Sequence, residues 1–216
     1  GHWMARAGSY LVDTYGVDLY YSHFHMLDHV FHYLWGGFDP LTGWYDPARA
    51  AEFEGYMLEA HKIVDETLGL YMEQAGPDTA IVVVSDHGLI PHIKAVSINN
   101  LLAREGLIAW EPGPGNRPAI DWSRTLAYKP TDTVHIWINL KGRDPQGVVE
   151  AADYEAMQER IIDVLLDLRD PENGKRPIAL AVKKRDAAMF GLWGDRVGDV
   201  YRVYQVDKDG NFILQP

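Results

Sequence analysis

The chain has 216 residues, 47% of them hydrophobic, enough to bury a substantial core in one domain or at most two. Its formal net charge of −11, from 31 acidic against 20 basic residues, argues against bulk nucleic acid as a partner, but a small phosphorylated substrate stays open where bound cations locally outweigh the carboxylates. The absence of cysteine rules out disulfides and thiolate zinc sites, so any metal must be held by histidine and carboxylate.

The chain opens on Gly1-His2 rather than Met, which reads as a start processed or cut from something longer. Val17 to Met26 (VDLYYSHFHM) is aromatic and apolar with strand-like alternation, and predicts a buried strand with polar side chains at its C-terminal end. After the turn-rich stretch GGFDPLTGWYDP, Asp46 precedes Pro47 as a cap before a first-turn proline. Phe53, Met57, Ala60, Val64, Leu68 and Tyr71 then recur at helical spacing, predicting a long amphipathic helix over residues 47 to 75 that Gly76-Pro77 stops. Thr79 to Ser85 (TAIVVVS) is a β-branched run of the kind seen in a parallel strand covered on both faces, and helix followed by strand implies a βαβ unit. Asp86-His87-Gly88 would sit at that strand's C-terminal end, the edge where open α/β sheets bind ligands.

Farther along, Val96 to Gly106 predicts a short helix with a glycine stop, Thr133 to Leu140 a strand, and Tyr154 to Leu168 a helix with Met157, Ile161, Val164, Leu165 and Leu168 on one face. Ile178 to Val182 and Val200 to Val206 read as strands, and Asp209-Gly210-Asn211 as a hairpin turn. Arg143 to Gly147 and Asp170 to Gly174 read as ordinary loops. No membrane-spanning run of roughly 20 apolar residues is present.

Two local patterns carry chemistry. Asp86-His87 at a strand end could share one divalent ion, or Asp86 could cap a helix with His87 packed beside it. Asp28 and His32, four residues apart, fall on one helical face or around one turn; alone, they could equally be the polar face of an aromatic-rich helix start. Together the pairs supply one Asp and one His to each of two neighbouring ions at a common sheet edge. His23, His25, His29 and His32 crowd the same region. His23 and His25 on one strand face could imitate the HxH motif of barrel-type hydrolases, or donate hydrogen bonds beneath the sheet edge, which is the preferred reading. His61 reads as structural; His92 is left open between a contact to a substrate oxygen and a loop cap, and His135 is left unassigned. No GxSxG elbow and no GxxxxGK[ST] loop is present, and no Ser or Thr is plainly placed as a nucleophile.

The ordered set DHVFH at 28 to 32, VSDHGL at 84 to 89, INNLLAREGLI at 98 to 108 and HIWINLKGRDPQGVV at 135 to 149, followed by a helix and LRDPENGKRP, resembles the type I phosphodiesterase and nucleotide pyrophosphatase branch of the alkaline phosphatase superfamily. The likeness runs from about residue 17 to 206. It implies an α/β fold, an alkaline phosphatase-like three-layer core with a mostly parallel central sheet, incomplete in this chain, so that residues 1–216 form a single partial catalytic domain. It further implies two divalent metal ions, zinc first and manganese as the alternative. Asp28 and His32 would bind one with a histidine near the C-terminus; Asp86 and His87 would bind the other with an N-terminal aspartate and the oxygen of a Thr or Ser nucleophile. That nucleophile lies upstream in the family pattern, so no catalytic residue is assigned within this chain. The implied activity is phosphodiester, nucleotide-type or phosphomonoester hydrolysis through a phosphoenzyme, with the chain inactive alone. The alternatives are a phosphomutase or sulfatase-type relative and a non-catalytic binding module that keeps the fold. Exposed strand edges would favour self-association.

Overall fold

A computed structural model describes residues 1–90, 94–131 and 133–205. The chain divides into two compact units, Gly1–Pro91 and His92–Pro216.

The first unit is built from three helices, α1 (His2–Tyr15), α2 (Met26–Phe38) and α3 (Ala50–Gln74), with α3 packed against both others. Gly16 ends α1 in the left-handed region, at φ 58° and ψ 48°, and its N–H caps the Val12 carbonyl. Gly8 and Gly37 permit close packing. A Cβ on Gly8 would stand 2.4 Å from the Tyr20 hydroxyl oxygen, and one on Gly37 would stand 2.4 Å from Phe53 Cδ2 on α3. Tyr20 in turn lies against Tyr71 of α3, with ring centroids 5.8 Å apart, and Tyr71 donates to Ser22 Oγ at 3.3 Å. The connection between α1 and α2 is thereby tied to α3.

Several expectations are corrected in this unit. Residues 17–25 form no strand: Tyr20 and Ser22 are drawn to α3, and α2 begins at Met26, the last residue assigned to that strand. The turn-rich stretch starts later than the sequence suggests, because Gly36 and Gly37 belong to α2 and Asp39 is its C-cap, accepting from Trp35 Nε1 at 2.6 Å and Leu41 N at 2.9 Å. Asp46 accepts from Ala48 N at 3.0 Å and so makes a turn before α3 rather than its cap. The β-branched run at 79–85 has no strand partner among the described residues, and Val82, Val83 and Val84 are exposed.

The second unit holds a four-stranded antiparallel sheet of order β3-β4-β6-β5, beside a separate two-stranded hairpin. Helix α4 (Ile98–Arg104) comes first, with Ser97 Oγ accepting from Asn100 N at 3.3 Å as its N-cap. Strands β1 (Trp110–Pro112) and β2 (Pro118–Ile120) make the hairpin. Then come β3 (Ala127–Tyr128), β4 (His135–Ile138), α5 (Tyr154–Asp167), β5 (Ile178–Lys183) and β6 (Val200–Tyr204). Leu102, Leu107, Ile136, Ile138, Ile161, Leu165, Ile178 and Val200 form the buried core between α4, α5 and the sheet.

The mostly parallel central sheet is therefore corrected: every ladder among the described residues is antiparallel, apart from an isolated parallel bridge between Leu140 and Val149. The physical reason is the position of β6. Both β4 and β5 run antiparallel to it, so they run parallel to each other and α5 crosses between them, as a βαβ reading requires; β6 then lies between the two and reverses both ladders. The mixed helix and strand content remains consistent with an α/β fold. The hairpin turn assigned at Asp209-Gly210-Asn211 lies outside the described residues.

One buried carboxylate organises this unit. Asp199 is fully buried; its Oδ1 accepts from Arg143 Nη1 and Tyr154 Oη, each at 2.7 Å, and its Oδ2 from Ile138 N at 2.7 Å and Arg143 Nη2 at 2.8 Å. Gln158 Nε2 donates to the Asp199 carbonyl at 2.6 Å. The hydrogen bonds to Asp199 hold the Arg143 guanidinium well above its usual pKa, and burial followed by the same carboxylate pushes the Tyr154 phenol up. Arg143, read as part of an ordinary loop, also stacks over Trp137 at 5.1 Å. On the inward face of β6, Arg202 is buried over the Tyr204 ring at 4.7 Å; desolvation lowers its pKa, and its Nε and Nη1 meet no hydrogen-bond partner among the described residues.

Candidate metal centre

The start of α2 sets the geometry of the first pair. His25 is the N-cap residue, at φ −83° and ψ 2°, and Asp28 lies in the first turn, where a carboxylate complements the helix's positive end. His32 follows one turn later. Asp28 stands between two imidazoles: Oδ2 is 2.9 Å from His25 Nε2, and Oδ1 is 3.4 Å from His32 Nε2. Both histidines are more than half exposed, whereas the Asp28 side chain is 21% exposed, so the carboxylate is sheltered but open to a small ion. Phe31, tilted against Trp35 of the same helix, anchors α2 by meeting His61 of α3 edge-on at 5.5 Å. His61 Nδ1 donates to the Met57 carbonyl at 2.8 Å, so it is a packing residue within α3.

The second pair lies in the irregular segment after α3. His87 Nδ1 donates to the Gly88 carbonyl at 3.1 Å, which leaves Nε2 as the free nitrogen, 3.5 Å from Asp86 Oδ2. Ser85 Oγ donates to the His87 carbonyl at 2.6 Å, and His87 N to Asp86 Oδ1 at 3.2 Å. Both side chains are exposed, at 77% for Asp86 and 57% for His87. The pair sits in a locally hydrogen-bonded turn rather than at the end of a paired strand.

Each sequence-predicted pair is thus brought together, and among the described residues the two pairs form no common cluster of ligand atoms. Among the described residues, the cluster whose ligand atoms lie within 4.8 Å of one another is His25, Asp28 and His29. His25 also stacks on His23 at 5.0 Å and meets the His29 ring at 4.4 Å. The strand face supposed to present His23 and His25 as an HxH motif is absent. His135 stands on β4, with Nδ1 buried and without a hydrogen-bond partner among the described residues, and His92 lies outside those residues. The association of His25 and His29 with Asp28 was missed. The signal for it is the spacing H-x-x-D-H-x-x-H, which aligns once a helix rather than a strand leads into residue 26.

The donor chemistry fits a divalent ion of zinc type. Two ligands at about 2.0–2.1 Å from a tetrahedral zinc lie about 3.3 Å apart, close to the imidazole–carboxylate separations of both pairs. Imidazole with carboxylate suits zinc better than the all-oxygen cages of calcium or magnesium.

No helix among the described residues is long and apolar enough to cross a membrane. No curated protein and no solved structure matches the chain. A family model, described as type I phosphodiesterase / nucleotide pyrophosphatase, matches residues 1–212, nearly the whole chain. The chain belongs to the type I phosphodiesterase / nucleotide pyrophosphatase family, a family of hydrolases.

Proposed function

We propose that the chain is the metal-binding core of a metal-dependent phosphoesterase acting on phosphodiester or nucleotide-type substrates. Asp28 and His32 hold one divalent ion and Asp86 and His87 the other, zinc being the first choice. The observation that carries this is the family match across residues 1–212, combined with two Asp–His pairs whose oxygen and nitrogen atoms stand at 3.4 and 3.5 Å.

When bound, the ions would lower the pKa of a hydroxyl nucleophile and offset the charge of the phosphoryl group in transfer. The chain's own residues hold and orient. His87 is fixed in the tautomer that offers Nε2, and Asp28 presents an oxygen to His32 from a helix N-terminus. Hydrolysis would pass through a phosphoenzyme on a Thr or Ser. No such nucleophile is assigned among these 216 residues, so the chain alone is expected to turn over phosphodiesters slowly or not at all.

The test is zinc titration calorimetry on the chain and on an Asp86→Ala, His87→Ala double variant. Loss of one bound ion in the variant supports the reading. Equal binding by both removes Asp86 and His87 from the site, and rapid diester hydrolysis by the chain alone overturns the missing-nucleophile assignment.

A further inference from the structure

The segment His25-x-x-Asp28-His29-x-x-His32 interleaves two i,i+4 pairs, His25 with His29 and Asp28 with His32, at the start of α2. The family-like pair uses one oxygen of Asp28: Oδ1, facing His32 at 3.4 Å. The other oxygen, Oδ2, faces His25 at 2.9 Å, and the His25 and His29 rings stand 4.4 Å apart. We propose that His25, Asp28 and His29 together hold one divalent cation of zinc type, with the two imidazoles as nitrogen ligands and Asp28 as the oxygen ligand. This deepens the functional reading and rests on it in one respect, that Asp28 is an ion ligand.

Three features support the site. One ligand atom from each of the three side chains lies within 4.8 Å of the others, so small rotamer changes close them around an ion that needs neighbouring ligands about 3.3 Å apart. All three come from five consecutive residues on a helix end that α3 already holds through Phe31, so little ordering remains to be done on binding. The imidazoles are also accessible: the His25 side chain is 55% exposed, so an ion can reach the site without opening a core. Two imidazoles and a carboxylate leave a tetrahedral ion one position for water or an oxygen ligand, the arrangement of open rather than closed zinc sites. In the ion's absence, the close approach of His25 Nε2 to Asp28 Oδ2 keeps these two ligands gathered.

The experiment uses the full 216-residue chain carrying Asp86→Ala and His87→Ala, so that the second pair is silent. Zinc is added under calorimetry, and the histidine ring nitrogens are followed by 15N NMR. The expected result is two bound ions, one at Asp28 and His32 and one at His25, Asp28 and His29, with large shifts for the His25 and His29 rings; one of the two ions should lose about ten-fold or more in affinity in His25→Ala and in His29→Ala, with magnesium at the same concentration moving neither ring. Affinity unchanged within two-fold in both variants overturns the proposal, as does a shift confined to the His32 ring, or no binding at all. Should an alanine variant lose the α2 helix by circular dichroism, the ring shifts in the chain with His25 and His29 intact decide the matter. A failure of the functional reading shows separately, as no difference in bound zinc between the unsubstituted chain and the Asp86→Ala, His87→Ala chain.

Discussion

Asp28 in the helical unit and Asp199 in the sheet unit are both carboxylates surrounded by nitrogen donors, yet they are spent differently. Asp199 is completely buried, and its two oxygens accept four hydrogen bonds, from Arg143 twice, Tyr154 and the Ile138 backbone, which uses the roughly four acceptor positions a carboxylate has. Asp28 meets imidazoles of which more than half is exposed, and a metal ion could replace those contacts without leaving a buried donor unpaired. A carboxylate saturated by donors it cannot exchange is a structural device; one partnered by exchangeable ligands is available for chemistry. By that criterion the second unit's polar centre holds a fold together, and the first unit carries the candidate reactive surface.

The contrast can be broken experimentally, and the largest effect should come from Asp199→Ala. Removing this acceptor strands the Arg143 guanidinium and the Tyr154 hydroxyl, at a cost of about 3–5 kcal/mol measured by urea denaturation. A loss below 1 kcal/mol would mean Arg143 escapes to solvent and Asp199 is not the keystone. Next comes Gly37→Val, whose side chain would meet the Phe53 ring; overpacking between α2 and α3 should cost about 1–3 kcal/mol and weaken zinc binding by loosening the helix that presents Asp28. Asp28→Asn should cost only about 0.3–1 kcal/mol through the lost charge at the helix N-terminus, while zinc affinity collapses. A stability loss there comparable to that of Asp199→Ala would erase the distinction between the two carboxylates.

The smallest effect is a pH slope from His135. Desolvation, and secondarily the Arg202 charge, hold its pKa below the ordinary 6.5, so the unfolded chain takes up a proton that the folded chain resists. The contribution to stability is therefore fully present above about 6.5 and is lost as the pH falls toward the lower folded value. Thermal melting from pH 7 to pH 5 should show a steeper decline for the unsubstituted chain than for His135→Gln. Parallel curves would remove His135 as a source of the slope.

Much of the second unit was legible in the sequence because its signals are local. Met157, Ile161, Val164, Leu165 and Leu168 mark α5 by spacing, Ser97 and Gly106 bracket α4, and alternation marks β4 and β6. The sense of the sheet was not legible, since strand–helix–strand order says nothing about a later strand lying between the two. In the first unit, α3 was readable from its long periodicity, whereas α1 was not identified and the aromatic run at 17–25 imitated strand alternation. The pairing of Asp28 with His32 and of Asp86 with His87 was recognisable from residue type and order. His25 and His29 became partners of Asp28 only with the helix start placed at Met26, because three- and four-residue spacings gather side chains on a helix and scatter them on a strand.

The place of β6 also bears on the order in which the protein can be made. β4 and β5 lie on either side of it and share no ladder, so each lacks a hydrogen-bonding neighbour on that side until residues 200–204 arrive. During synthesis α5 can bridge β4 and β5 early, but the gap between them is filled only when β6, later in the chain than both, emerges. Asp199, immediately before that strand, brings the partner for Arg143 and Tyr154 at the same moment. A ribosome that stalls short of residue 199 would therefore leave a nascent chain with open strand edges and an unpaired guanidinium, a natural substrate for chaperones.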